Sequence, residues 1–463
     1  MKKIIFAIIA AVSLLSSVQL FAQTLPRRGS FGVGVKPLDE ATAAANRLKT
    51  GDGLLVTLVT PDSTVAALGL KAGDIIVSVD GRGFSSVQDF VAFARTKNEG
   101  DSAEFVFLSN GEKFVKKGSV KGRPRENSDN AEVRYDAVEM ALGTLRTITY
   151  VPKGKTGRLP AVFYIQGLPC QSQEMGPNSK DPRKMAFEDW VRGGFVVFRV
   201  ERPNLGDSRT TKDCRDIDFD EEVAVNVAGY KKLLGYDFVD PDNVFFFGHS
   251  MGSWTAPFIA RTRQPRGIIT YGSGVRSWFE YFIDAARIQA VYAGATHVEA
   301  EKEARRMIPF YYEWLEAGKS PDEMRKNPAL REIVDEAGNF DGDYFQGREA
   351  GRSAHYFYTM SKQMTAEAWS RISCKVLSAY GEFDVQALNS RDAETIAAIV
   401  NEAHPGSAEY LLIPKTEHIF AKATSYKQVM ELYKTGKYWP YAAENYNPEF
   451  GRITVEWMKK TMK

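Results

Sequence analysis

The apolar run Val244-Phe245-Phe246-Phe247 passes directly into Gly248-His249-Ser250-Met251-Gly252 and then into a helix-forming stretch, residues 253–262. Few local patterns restrict a fold so tightly. A buried strand that reverses sharply into a helix around a serine needs small residues on both sides of the turn. The serine is then held up at the sheet edge, beside the amino end of a helix, where developing negative charge is favoured. Such a strand needs neighbours, and the chain supplies them. Residues 161–165, 195–200, 267–271, 375–380 and 410–413 are short apolar runs that read as buried strands. Helix candidates at 185–192 and 220–234 lie between them. Strands alternating with helices predict a doubly wound, mostly parallel sheet with helices on both faces.

A serine nucleophile needs a base, and the base needs an acid to orient it. Leu377-Ser378-Ala379-Tyr380-Gly381-Glu382-Phe383-Asp384 reads as a strand followed by a tight turn, which makes Asp384 the candidate acid, with Glu382 the alternative. Among the five histidines, His418 follows the last strand, in Thr416-Glu417-His418-Ile419, and is the candidate base. His249 is inside the turn, His297 and His355 fall in a long helical stretch, and His404 precedes the last strand as a surface-loop residue. Two backbone donors should receive the oxyanion. One is the N–H of Met251. The other is the N–H of Leu168, in the turn Ile165-Gln166-Gly167-Leu168-Pro169, because Pro169 has no N–H to give.

Over residues 133–463 these segments resemble the α/β-hydrolase family, in its order Ser, acid, His. Gln166 stands where many relatives carry His. Arg202-Pro203-Asn204-Leu205-Gly206-Asp207-Ser208 is similar to the Arg-x-Gly-x-Gly-x-Ser loop of esterase and aminopeptidase members, departing at Asn204. The resemblance implies attack of Ser250 on a carbonyl, an acyl-enzyme, and hydrolysis by water that His418 activates, with no metal and no cofactor. Residues 275–372 interrupt the alternation with helix formers and aromatics, and carry no strand signal. A helical cap inserted over the sheet accounts for them.

Ahead of that half lies a second pattern. Phe31-Gly32-Val33-Gly34-Val35, Leu70-Lys71-Ala72-Gly73-Asp74-Ile75-Ile76 and Val79-Asp80-Gly81 resemble a PDZ domain in the strand order of bacterial periplasmic proteases, over residues 28–122. The resemblance implies a small α+β domain that adds a ligand's C-terminal segment as an extra strand. The N–H groups of Phe31, Gly32 and Val33 would receive the carboxylate. Phe31, Val33, Val87 and Phe90 or Val91 would line the apolar pocket. The alternative is a brace whose groove is filled by its own chain. Residues 24–30 read as an exposed lead-in, and the polar, charged stretch 123–132 as a linker.

Met1-Lys2-Lys3, a mostly apolar run to Leu20 and Ala22 before Gln23 match a secretory leader over residues 1–22. Serines and Gln19 interrupt the run, which favours cleavage over an anchor, and no cysteine near the cut suits lipidation. An exported, periplasmic or secreted protein with no later membrane span is expected. Its 60 basic and 58 acidic residues become 58 of each once Lys2 and Lys3 are removed, a balance that suggests no nucleic-acid partner. The three cysteines suit no zinc spacing. Cys170 and Cys214 both fall in loops after candidate strands and are the pair expected to bridge in an oxidising compartment, while Cys374 reads as a buried small hydrophobe.

Gly-His-Ser-Met-Gly resembles the turn of esterases more than the aromatic-Ser turn of prolyl-oligopeptidase relatives. Carboxylic-ester hydrolysis is therefore expected. A PDZ-assisted peptidase is the first alternative, and a peptide-binding module on an inactive hydrolase scaffold the second. A peptidase should carry a fixed charge that anchors a substrate terminus, such as a Glu near the site, for which Glu201, Glu280 and Glu382 are the candidates.

Overall fold

The six apolar runs are the six parallel strands of one nine-stranded sheet. Their spatial order is Val196–Val200, Leu159–Ile165, Val239–His249, Gly267–Tyr271, Lys375–Gly381 and Ala408–Ile413. They are apolar on both faces because helices cover both. Phe187, Trp190, Phe247 and Phe450 fill one layer, and Tyr230, Phe246, Ile259 and Trp369 the other. The structure, a computed structural model, describes residues 25–49, 51–336, 339–347 and 351–462, so the leader expected over 1–22 lies outside the described residues.

Three antiparallel strands complete the sheet at one edge: Ala131–Met140, Gly143–Pro152 and Arg209–Thr210. The first carries Glu132, Arg134, Asp136 and Glu139, so its polarity masks a strand that is only half-buried. This order is that of the α/β-hydrolase fold, and the doubly wound sheet with a helical insertion and a small preceding domain is the architecture expected from the sequence.

The insertion is mostly helical, led by Trp278–Tyr292, His297–Tyr311 and Ala354–Ser361, around a core of Phe282, Trp314, Phe345 and Phe357. One correction applies. It also holds a three-stranded sheet of Phe340–Asp341, Tyr344–Phe345 and Arg352–Ser353. Strands of two residues are too short to show alternation in sequence.

The preceding domain is a twisted sheet in the order Val33–Pro37, Leu54–Val59, Ile75–Val79, Ser102–Ser109, Glu112–Ser119, with helices Thr64–Ala67 and Val87–Ala94. An additional helix, Glu40–Ala45, is capped by the Asp39 carboxylate.

Both of its flanks differ from expectation. The lead-in is not exposed: Leu25 and Arg27 are buried. Arg27 donates to Asp207 at 3.0 Å and pairs with Glu174 at 2.7 Å, and the Arg28 N–H donates to Asp207 at 2.8 Å. The polar stretch 123–132 is not a loose tether either. Glu126 is buried and forms a two-point ion pair with Arg199, at 2.9 and 3.0 Å. Isolated charges in a linker composition give no hint that a partner cation waits inside the other domain.

Candidate active site

Ser250 stands between the end of Val239–His249 and the start of helix Met251–Ala260, with φ +54° and ψ −124°. That conformation is costly for a side-chain-bearing residue and is held by its surroundings. The Ser250 N–H donates to the Tyr271 carbonyl at 2.7 Å, and the Ser250 carbonyl accepts from the Ser253 N–H at 2.8 Å. The turn closes only because Gly252 has no side chain: a Cβ there would sit 2.1 Å from the Ile165 carbonyl oxygen.

His418 and Asp384 reach the same place from the ends of the next strands. His418 Nδ1 lies 2.8 and 2.9 Å from the two Asp384 oxygens, and both side chains are buried. Asp384 Oδ1 also accepts from the N–H groups of Gln386 at 2.9 Å and Ala387 at 2.8 Å. Burial alone would lower the His418 pKa, but attraction and hydrogen bonding to Asp384 outweigh it and leave it raised. Ser250 and His418 line one cavity. Gly167 brings the Leu168 turn to Ser250: its Cβ position lies 3.1 Å from Ser250 Cβ.

His249, read from sequence only as a turn residue, proves to be a tether. Its Nε2 faces the His418 carbonyl oxygen at 2.9 Å, which can only accept, so the proton is on Nε2. Nδ1 then accepts from the Tyr164 hydroxyl at 2.9 Å. Burial first, and then the charge of His418, hold the His249 pKa well below its usual value, so this ring is neutral. Glu417 is a second unexpected member. Its carboxylate accepts from the Tyr438 hydroxyl and from the N–H groups of Ile419 at 3.0 Å and Ala421 at 2.8 Å, which shapes the loop around His418. Burial pushes its pKa up to about 7. Neither residue has a spacing signal, because each acts through the backbone fold of a neighbouring strand end.

The Arg202 loop lies beneath the Leu168 turn. The Arg202 guanidinium donates to the carbonyls of Gly167 and Pro169 at 2.7 and 2.8 Å. Gln166, where many relatives carry His, turns its amide oxygen onto the same guanidinium at 2.9 Å. Asn204 has φ +55°, a conformation that Asn tolerates better than most residues, which explains how it replaces glycine there. The turn is also tied down by the disulfide Cys170–Cys214.

The cavity measures about 720 Å³ and is walled in part by the cap, through Trp278, Tyr281, Phe282, Tyr311 and Phe345, with Trp254, Tyr433 and Tyr438 from outside it. Trp439, half exposed, lines it too, with Arg183 stacked 5.8 Å away and paired to Asp181. Among the described residues no Asp or Glu lines it. None of the three candidate amine anchors reaches it. Glu201 is buried against Ser172 and Gln173, Glu280 caps its own helix at the surface, and Glu382 accepts from the Lys415 N–H at 2.7 Å. Among the described residues no cluster of three His, Cys, Asp or Glu side chains is placed to hold a metal ion.

In the preceding domain the groove runs between strand Val33–Pro37, which is at the sheet edge, and helix Val87–Ala94. Phe31 and Phe90 do not stand open to it. Both are buried, with ring centroids 5.5 Å apart and Phe31 also 4.9 Å from Phe105. The large rings complete the domain core, so the accessible walls are the half-buried Val33 and Val87 and the exposed Val91. Gly32 has φ +69°, and a Cβ there would meet Ser63 Cβ at 2.1 Å, so the turn before the edge strand requires glycine.

Comparison with known proteins divides the chain in the same way. Residues 29–114 match the family model described as PDZ domain. A probable periplasmic serine protease do/HhoA-like of Haemophilus influenzae is 32% identical over 199 residues, 43% of this chain and 38% of that protein. A probable periplasmic serine endoprotease DegP-like of Bartonella henselae is 29% identical over 134 residues, 28% of this chain and 26% of that protein. The chain thus spans roughly a fifth to two fifths of the length of the curated relatives it matches. Among solved structures, a carboxyl esterase from Bacillus coagulans aligns with 72% of this chain and 99% of its own, at 13% identity and a TM-score of 0.44. No helix among the described residues is long and apolar enough to cross a membrane. Residues 29–114 are a PDZ domain, and the sheet that follows has the strand order of the α/β-hydrolase fold.

Proposed function

We propose that the protein is an exported serine hydrolase that cleaves carboxylic esters. The observation that carries this reading is the meeting of Ser250 and the Asp384-held His418 in an aromatic cavity with no carboxylate among its described residues. His418 Nε2 takes the Ser250 proton as Oγ attacks the ester carbonyl. Asp384 keeps the Nδ1 proton in place and balances the imidazolium. The N–H groups of Met251 and Leu168 receive the oxyanion. Collapse expels the alcohol, protonated by His418, and leaves an acyl-Ser250 that water hydrolyses by the same steps. The aromatic walls suit an apolar or aromatic acyl group. Export is supported by the leader pattern, by the Cys170–Cys214 disulfide and by the periplasmic relatives.

The PDZ domain binds C-terminal peptides along Val33–Pro37 in this reading, which suits a targeting role. The peptidase alternative draws on the relatives named as serine proteases, but the lack of a carboxylate among the cavity's described residues counts against an aminopeptidase.

The deciding experiment compares residues 23–463 with Ser250→Ala on p-nitrophenyl esters of short and long chain and on aminoacyl and peptidyl p-nitroanilides. Ester turnover that vanishes in Ser250→Ala, with inert anilides, is expected. Anilide cleavage at comparable or faster rates makes the protein a peptidase. Loss of all Ser250-dependent turnover, on either panel, returns weight to the binding-module alternative.

A further inference from the structure

We propose that Arg352, delivered by the cap, is a positioning residue for the oxyanion site, so that seating the cap and forming that site are one event. The inference rests on the serine-hydrolase reading above and adds a residue and a coupling to it.

Arg352 and Arg202 are both fully buried and share one carboxylate, Glu222, at 2.9 and 2.7 Å. Two cations against one anion leave a net positive charge directly under the Leu168 turn. Arg352 Nε donates to the Leu168 carbonyl at 3.2 Å, and its Nη1 donates to the Cys214 carbonyl at 2.9 Å. It therefore grips the turn and one end of the disulfide at once. Arg202 Nη2 holds the Gly167 carbonyl at 2.7 Å. That carbonyl belongs to the same planar, trans peptide as the Leu168 N–H, so C=O and N–H point in opposite directions. Fixing the oxygen on the guanidinium side aims the N–H away from it, and the Gly167 Cβ position 3.1 Å from Ser250 Cβ shows that the turn abuts the nucleophile. A guanidinium on the carbonyl also polarises the amide and strengthens its N–H as a donor.

The second donor is reached by the same cap segment. The Tyr356 ring lies 4.4 Å from the Arg352 guanidinium, and its hydroxyl donates to Met251 Sδ at 3.1 Å. Arg352 and Tyr356 thus touch the residues of both oxyanion donors, and neither lines the cavity. A cap that only shaped the acyl pocket would not need a buried arginine at this depth, where charges are retained only if fully paired.

The test is Arg352→Lys, which keeps the charge and loses the fork. Expected is a fall in kcat of about 10- to 100-fold, short of the 10²- to 10³-fold of losing a donor outright, with KM within about twofold. A trifluoromethyl ketone, which forms an oxyanion on Ser250, should bind more weakly by the same factor. Unchanged kcat and ketone affinity overturn the inference, as does a raised KM with ketone affinity and kcat retained, which would place Arg352 in substrate binding alone. If Arg352→Lys does not fold, Tyr356→Phe makes the same test from the Met251 side, with kcat and ketone affinity expected to fall together by several-fold and a wild-type result overturning the coupling. Fluorophosphonate labelling separates the two levels. A wild type without Ser250-dependent labelling overturns the hydrolase reading and this inference with it. Labelling present in wild type and equally fast in Arg352→Lys overturns this inference alone.

Discussion

Asp384→Asn tests the proposed charge arrangement with the least change of shape. Asp384 Oδ1 accepts two backbone N–H groups, from Gln386 and Ala387. An asparagine must meet them with its own oxygen, which leaves its NH2 group where Oδ2 now lies 2.8 Å from His418 Nδ1. The amide NH2 is then the nearer partner of Nδ1, while the oxygen at 2.9 Å already accepts two N–H groups, which favours Nδ1 as an acceptor with the proton on Nε2. Nε2 then has no lone pair for the Ser250 proton. The wrong tautomer costs about 10⁴-fold in kcat in the trypsin-like triad, or about 5.5 kcal/mol of barrier, and the same loss is expected here. Stability should change little, because both backbone bonds survive. The assay is p-nitrophenyl ester hydrolysis from pH 5 to 10, with circular dichroism to confirm folding. A folded variant within about tenfold of wild type would refute the tautomer reasoning.

Three further outcomes are expected. The raised pKa of His418 places the acidic limb of kcat/KM above the ordinary value of 6.5, because the base must be neutral to work; a pH-rate profile with its midpoint below that value would contradict the role of Asp384. Removing the Cys170–Cys214 bridge by the double serine variant, which opens a loop spanning 44 residues, should cost about 4 kcal/mol on the chain-entropy model and lower the melting temperature. An unchanged transition would show that the Arg202 and Arg352 contacts alone hold the turn. Glu126→Gln strands the buried Arg199 and should destabilise by about 3–5 kcal/mol in urea unfolding, whereas a loss under about 1 kcal/mol, as for an exposed pair, would mean that water reaches the pair.

The parallel sheet was legible because residues such as Phe245 to Phe247 must be apolar on both faces, and a two-faced burial leaves a continuous run. Ser250 was legible because its turn tolerates almost no other sequence. The half-buried strand Ala131–Met140 was not, since its charges satisfy solvent on one side. His249, Arg352 and Tyr356 escaped for a different reason: each makes a contact with the backbone or sulfur of a residue distant in sequence, and such contacts leave no periodic trace, while Glu417 folds its own loop through the N–H groups of Ile419 and Ala421, where no period runs. Phe31 and Phe90 escaped for the opposite reason, since an apolar ring in a groove and one in a core look alike in sequence.

The pinned flanks of the PDZ domain change what its presence means for a captured peptide. Arg27 and Glu126, on flanks that hydrogen-bond to each other through the Arg123 carbonyl, enter the following domain side by side, at Glu174 and at Met175 and Arg199. A module hung on a flexible tether delivers its cargo as an effective concentration, tunable by tether length. A module held by both flanks at one seam, and by Arg209 donating to Asn98 at 2.7 Å, delivers it along one vector. On the proposed function, a peptide held on Val33–Pro37 meets the cavity at a set span and heading, and its reach in residues beyond the groove works as a ruler for which chains, or which ester-bearing ends of them, arrive at Ser250.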